Sequence, residues 1–161
     1  MVNDPNLFVD AAGVKGRGLF AARPFAVGER VVPLGGAIRT TAELQDDEMA
    51  LQIGPERWLC SAGEHLDDFA NHSCEPNVGF LNPDDHALYA LRTIAVGEEI
   101  VWDYSTSIDE PEWDLKCHCG SAGCRRMIRP WHALSTSERL RLLPIAMGWL
   151  RDRPDHECAT A

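Results

Sequence analysis

Three cysteines fall within the eight residues Cys117-His118-Cys119-Gly120-Ser121-Ala122-Gly123-Cys124, and this run constrains the chain more than any other feature. Cys-x-Cys-x4-Cys suits a loop wrapped around a tetrahedral ion, because Zn2+ takes four soft ligands with sulfur at about 2.3 Å. Gly120 and Gly123 let the backbone fold tightly between the sulfurs. The plain alternative is three reduced cysteines packed together; the short Cys-rich run favours one structural zinc ion. The run supplies three ligands and leaves one to find. His118 is flanked on both sides by ligands, which strains the geometry. Cys60, Cys74 and His72 are the remote candidates.

The remaining composition points to one soluble domain. The chain has 161 residues, enough to bury a core. Its formal net charge is −10, and it has no run of Lys and Arg. That fits poorly with a metal-dependent nucleic-acid binder, so no direct nucleic-acid partner is expected. The start, Met1-Val2-Asn3-Asp4-Pro5-Asn6, has neither a basic nor an apolar region of the kind found in secretory signals. The longest apolar stretch, around Leu142 to Leu150, contains Pro144 and Gly148 and is too short for a bilayer. A cytoplasmic protein with no membrane partner is the expectation. Six cysteines in such a chain argue against a disulfide framework. Cys60 reads as a small buried hydrophobe and Cys158 as a free thiol in a polar, frayed tail.

Residues 6 to 104 read as short strands broken by Gly, Pro and Asp turns. Leu7-Phe8-Val9, Gly18 to Ala21, Arg30-Val31-Val32 and Glu99 to Tyr104 are strand candidates. Met49 to Ile53 and Arg57 to Cys60 flank Gly54-Pro55-Glu56 as a hairpin. Val78 to Leu81 and Ala87 to Leu91 flank Asn82-Pro83-Asp84-Asp85 as another. Thr40 with Glu43, and Ser135 with Glu138, form capping boxes that open helical turns. Pro144 either interrupts the second helix or sits in the first turn of a further one ending near Arg151. Ala26-Val27-Gly28-Glu29 is echoed by Ala95-Val96-Gly97-Glu98, each leading into an apolar strand. Two copies do not make a repeat protein, and two similar turns is the preferred reading.

Asn71-His72-Ser73-Cys74-Glu75-Pro76-Asn77 is an unusually polar heptad between apolar segments. By itself it is equally well read as a ligand loop or a turn with local Asx bonds. Taken with Gly16-Arg17-Gly18-Leu19-Phe20, with Gly97 to Tyr104 and with the cysteine run, its order and spacing resemble the SET-domain protein-lysine methyltransferases followed by a post-SET segment. The resemblance covers about residues 5 to 128.

That resemblance implies a mainly β (α+β) fold of small curved sheets with a pseudoknot. It implies a SET domain over 5–104 and a zinc-binding post-SET segment over 113–128; beyond them the capping box at Ser135 opens a C-terminal helical extension over 135–152. It implies S-adenosylmethionine as methyl donor, bordered by Lys15, Gly16, Arg17, Gly18, Asn71, His72 and Tyr104. Tyr104 becomes the catalytic-site tyrosine, and Trp102 and Phe80 fall in the substrate channel. Cys74 becomes the fourth zinc ligand beside Cys117, Cys119 and Cys124. The partner is a protein with a target lysine in a basic segment. With two lysines against thirteen arginines and no accessory reader domain, the composition suggests a bacterial stand-alone enzyme.

Five features depart from the family pattern or stay open. Trp102 stands where Phe or Tyr is common, a position that helps decide how many methyl groups fit. Pro33-Leu34-Gly35-Gly36 replaces a Tyr-x-Gly-Glu segment, so a channel tyrosine is missing. A catalytically weak or inactive zinc-stabilised module that binds peptide or cofactor is therefore the competing reading. Arg126 replaces a frequent glycine, and Met127 and Ile128 pack either on the donor or in ordinary core. Glu64, Asp67 and Asp68 form either a patch for a basic peptide or a solvated acidic turn, and the turn is preferred.

Overall fold

The computed structural model describes residues 4–46, 49–82 and 85–153, which leaves Cys158 and part of the second hairpin turn outside. The strands are β1 (Leu7–Ala11), β2 (Arg17–Ala21), β3 (Arg30–Pro33), β4 (Ala37–Thr40), β5 (Met49–Gly54), β6 (Arg57–Ser61), β7 (Asn71–His72), β8 (Val78–Gly79), β9 (Ala87–Ala90), β10 (Val101–Trp102), β11 (Leu115–Lys116) and β12 (Met127–Ile128). Among the described residues they make five small sheets: β1-β2, β3-β9-β8, β4-β6-β5, β11-β12 and the parallel pair β10-β7. Both expected hairpins form. β5 meets β6 with a bulge between Gln52 and Gly54, and Val78 faces Ala90 across β8-β9. The core gathers between the sheets on Leu19, Phe25, Val32, Val78, Phe80, Leu88, Ile94 and Ile100, each almost wholly buried.

The two Ala-Val-Gly-Glu turns are more than similar: they face each other across a local two-fold axis. Phe25 and Ile94 exchange two backbone hydrogen bonds, both 3.0 Å. Gly28 N–H donates to Ala90 C=O at 2.8 Å, and Gly97 N–H donates to Ala21 C=O at 2.7 Å. Ala90 N–H reaches Glu29 C=O at 2.9 Å, and Ala21 N–H reaches Glu98 C=O at 3.0 Å. In each turn the Glu carboxylate accepts the N–H of the Ala three residues before it, at 2.9 Å for Glu29 and 3.0 Å for Glu98. Each Glu also pairs with an Arg six residues earlier, Arg23 or Arg92. The echo in sequence is thus a structural pairing that ties β2 and β9 to opposite turns.

The expected strand from Glu99 to Tyr104 is shorter, because it changes partner midway. Glu99 bridges to Phe20, and Ile100 N–H donates to Leu19 C=O at 2.7 Å. Val101 and Trp102 then pair in parallel with Asn71 and His72. Asp103 ends the strand by accepting Ser105 N–H at 3.1 Å, which opens a single 3-10 turn over Tyr104–Thr106. At the C-terminus, Ser135 and Glu138 cap α1 (Thr136–Leu142) as expected. Pro144 sits in a 3-10 turn over Leu143–Ile145, which separates it from α2 (Gly148–Arg151). This extension docks on β8: Phe80 N–H donates to Ile145 C=O at 3.0 Å. A Cβ on Gly79 would stand 2.8 Å from Ile145 Cβ, so the close approach requires glycine.

The paired turns make a quantitative prediction. Gly28 and Gly97 have φ of 77° and 78°, and an added Cβ at either would meet no atom within 4 Å. Gly28→Ala and Gly97→Ala should therefore each cost about 1 kcal/mol of backbone strain, and nearly the same amount. Urea denaturation of the two variants checks this; costs that differ several-fold would break the equivalence.

Candidate active site

The parallel pairing of β7 with β10 builds the site. It sets Asn71 opposite Val101 and His72 opposite Trp102, and Ser73 N–H then donates to Trp102 C=O at 2.9 Å. Asn71 Nδ2 donates to Arg17 C=O and to Glu99 Oε1, both at 2.9 Å. Glu99 also holds the Lys15 ammonium in an ion pair. Gly18 is needed here because a Cβ would come within 2.8 Å of Glu99 Oε1 and 3.1 Å of Asn71 Nδ2. Glu99 was not singled out from sequence; only its pairing across the sheet brings it to the site.

Two concavities flank Tyr104. One, of about 260 Å³, is lined by Lys15, Asn71, His72, Tyr104, His118 and Ile128 among others. The second, of about 330 Å³, is lined by Leu51, Asp67, Ala70, Trp102, Tyr104 and Trp113 among others. Tyr104 and Leu115 belong to both, so they form the wall between them. Of the residues expected to border a donor, Lys15, Asn71, His72 and Tyr104 line the smaller pocket. Gly16, Arg17 and Gly18 do not line it; Arg17 and Gly18 back it through their contacts with Asn71. Of the two residues expected in a substrate channel, Trp102 lines the larger cleft, whereas Phe80 stands behind it in the core, ring centroids 5.4 Å apart and edge to face.

Tyr104 is fixed on three sides. Its hydroxyl donates to Ala70 C=O at 3.1 Å, the carbonyl that also accepts Trp102 Nε1–H at 3.1 Å. Its backbone N–H donates to His72 Nδ1 at 3.2 Å. Its ring tilts against Trp102 with centroids 4.8 Å apart. Burial pushes the phenol up to about 12, so at neutral pH Tyr104 is a neutral hydroxyl. Burial drives His72 down to about 4 despite nearby Asp103, so the imidazole is neutral as well.

Behind His72 lies the cysteine cluster. The thiol sulfurs of Cys74, Cys117, Cys119 and Cys124 all lie within 4.8 Å of one another. Cys117 Sγ stands 3.8 Å from Cys74 Sγ and 3.6 Å from Cys124 Sγ. Four sulfurs at zinc-bond length from one centre would be separated by about 3.8 Å, so the set fits a tetrahedral Zn2+. Cys74 thus supplies the fourth thiol. Cys60 packs instead with Trp58 and Ile108, and His118 faces the smaller pocket. Arg126, the residue in place of a glycine, holds φ of 66°, the left-handed conformation that glycine adopts without cost. Ile128 is buried against the cluster and also lines the smaller pocket.

The acidic segment corrects the sequence reading. Asp67 and Asp68 line the larger cleft and do not form a solvated turn. Gly35 N–H donates to both oxygens of Asp67 at 3.2 Å, and a Cβ on Gly35 would strike the His65 ring. Asp68 accepts the Ser61 hydroxyl and, at 2.9 Å, His65 N–H. Glu64 is the exposed member, accepting Ala62 N–H at 2.7 Å. Burial raises Asp67 to about 6.

Comparison with known proteins gives this arrangement a lineage. Residues 16–105 match the model of the SET domain. The chain belongs to the SET domain family. It is 31% identical to human Histone-lysine N-methyltransferase 2B over 133 residues, which is 73% of this chain and 5% of that protein. It is 28% identical over 149 residues to Drosophila melanogaster Histone-lysine N-methyltransferase ash1, covering 81% of this chain and 6% of that protein. The chain therefore spans only a small fraction of the curated relatives it matches. Among solved structures, KRYPTONITE in complex with mCHH DNA, an H3(1-15) peptide and SAH superposes with a TM-score of 0.62 and 28% identity. That match covers 77% of this chain and 29% of KRYPTONITE. The methyltransferase domain of human SETMAR, at a TM-score of 0.58 and 22% identity, shares the fold over 77% of this chain and 58% of that one. The small curved sheets expected from the resemblance are thus those of a SET domain.

Asp67 carries a pH-dependent cost. Its carboxyl is raised above the ordinary value of 3.8, so between pH of about 4 and 6 the folded chain binds more protons than the unfolded chain. Stability from this group is present below that window and is lost as pH rises through it. Asp67→Asn should stabilise the chain at pH 7 by on the order of 2 kcal/mol and have little effect at pH 4. Thermal unfolding at the two pH values tests this; equal shifts at both would contradict it.

Proposed function

We propose that the chain transfers methyl groups from S-adenosylmethionine to the side-chain amine of a lysine in a protein substrate. The observation that carries this reading is the shared wall: two concavities, one lined by Asn71 and His72 and the other by Trp102, have Tyr104 in common. The likeness to KRYPTONITE, whose structure holds SAH and an H3 peptide, and to proteins named histone-lysine N-methyltransferases supports it. The smaller pocket suits the donor. It joins the Lys15–Glu99 pair and the polar edge of Asn71 to the apolar faces of Val14, Leu115 and Ile128. When bound, S-adenosylmethionine supplies an electrophilic methyl group on a sulfonium.

What the chain must supply is a neutral, aligned amine. A lysine with the ordinary pKa of about 10.4 costs roughly 4.6 kcal/mol to deprotonate at pH 7. Trp102, Trp113, Leu51, Leu59 and Ile108 line the cleft with apolar surface, which disfavours the ammonium form. Tyr104 is too weak an acid to serve as a base at neutral pH, and its hydroxyl proton is committed to Ala70 C=O. Its oxygen lone pairs orient the incoming amine, and alignment supplies the rate. Trp102, on the same carbonyl, sets how much room a methylated amine has.

The cleft also carries selectivity. A carboxylate touching the target amine would hold it protonated, so Asp67 and Asp68 serve a neighbouring cation of the substrate instead. A lysine within a basic segment is thus the proposed acceptor. A four-cysteine zinc site keeps its thiols where disulfides do not form, which supports an intracellular site of action and a post-SET role for residues 113–128.

Radiolabelled methyl transfer to a panel of basic proteins and peptides tests the proposal. Wild type should label lysine, and Tyr104→Phe should lower kcat by about 10–100-fold with little loss of donor affinity. The wild-type rate should climb from pH 7 to 9 as the amine deprotonates, with no descending limb from Tyr104. Absence of transfer from a chain that demonstrably binds the donor would overturn the reading.

A further inference from the structure

Arg125 follows directly on the last cysteine of the cluster, yet its side chain points away into the protein and is 9% exposed. Its backbone N–H donates to Cys74 Sγ at 3.3 Å, which attaches it to the cluster. Its Nη2 donates to Asp103 Oδ1 at 2.7 Å and to Ser105 Oγ at 3.2 Å. The Asp103 side chain is 0% exposed. The same Oδ1 accepts Ser105 N–H at 3.1 Å and so caps the turn that begins at Tyr104. It also lies 3.8 Å from Nδ1 of His72, the atom that accepts Tyr104 N–H. One carboxylate oxygen is therefore the meeting point of the cysteine segment, the Tyr104 turn and His72. Burying such a pair is expensive, and truncating one partner leaves an uncompensated charge. A simple tether for a loop does not need it.

We infer that Arg125 is a positioning residue: with Asp103 it forms a buried arm through which the cysteine-held metal fixes the placement of Tyr104 between the two pockets. The inference rests on the reading of those pockets as donor and acceptor sites, but its physical content is the coupling of metal to tyrosine. A contact that could carry the coupling without Arg125 exists, since Tyr104 also packs directly on the apolar side of the cysteine cluster. The two routes make opposite predictions for the arm's removal.

The chain has two tyrosines, Tyr89 and Tyr104. Incorporation of 3-fluorotyrosine therefore gives two fluorine resonances, and Tyr89, bonded to Asp85 on another sheet, is the internal reference. The full chain loaded with Zn2+ is compared with Arg125→Gln and with Asp103→Asn, metal content being measured in each. Stripping zinc from wild type should displace or broaden the Tyr104 resonance and leave Tyr89 in place. Each variant, with one zinc still bound, should already show a displaced Tyr104 resonance, and chelation should move it by less than half the wild-type shift. In the transfer assay, kcat should fall while the KM for the donor changes less than about threefold. If Arg125→Gln fails to hold zinc, Asp103→Asn, remote from the cysteines in sequence, decides the matter alone. A Tyr104 resonance unmoved in zinc-loaded variants, or moved in only one of two zinc-loaded variants, overturns the inference. The fluorine readout stands whether or not a methyl acceptor is found, so failure of the coupling is distinguishable from failure of the proposed activity.

Discussion

Two residues of parallel strand hold this site together. Parallel pairing cannot be made by a tight hairpin, so the chain between Asn71–His72 and Val101–Trp102 runs out through the hairpin β8-β9 before it returns. The register then determines what stands beside what. Asn71 and His72 reach one pocket, Trp102 reaches the other, and Tyr104, two residues on, divides them. A slip of one residue would exchange these faces. Asn77 helps lock the register: its Nδ2 donates to Glu99 C=O at 2.7 Å, and Val101 N–H donates to its Oδ1 at 2.8 Å.

Cys74 lies two residues beyond β7, so the same register delivers the fourth thiol to Cys117, Cys119 and Cys124. A metal there closes the chain between residue 74 and residues 117–124, and brings β11-β12 with Leu115 and Ile128 against the smaller pocket. Metal binding there would displace protons from the thiols, since zinc takes cysteine as thiolate. The buried pair Arg125–Asp103 and the ring of Tyr104 both lie beside this cluster.

Local chemistry was legible in the sequence, and partner choice across the fold was not. The capping boxes at Thr40/Glu43 and Ser135/Glu138 are present in full, because each is written within four residues. The hairpin of β5 with β6 was readable from its Gly-Pro-Glu turn. The missing ligand stayed open until the family resemblance pointed to Cys74, because spacing within the run says nothing about residue 74. Asn71–His72 was not readable as a strand, being two polar residues whose sheet partner lies thirty residues away. Glu99, Asp103 and Arg125 are illegible for the same reason: each is an ordinary charge in sequence and gains its place from burial beside a distant group. Asp67 looked like part of a solvated acidic turn, and only the Gly35 amide and the cleft wall show otherwise. The Ala-Val-Gly-Glu echo was visible, but its two-fold pairing is a property of the folded chain.

We propose that a metal held by the four cysteines closes the smaller pocket around the methyl donor. Calorimetric titration of S-adenosylhomocysteine into the zinc-loaded chain, and into the same chain after verified metal removal, tests it most directly. One zinc per chain is expected, with a loss of at least tenfold in affinity on its removal while the β core stays folded by circular dichroism. Unchanged affinity in a chain shown to be metal-free would contradict it.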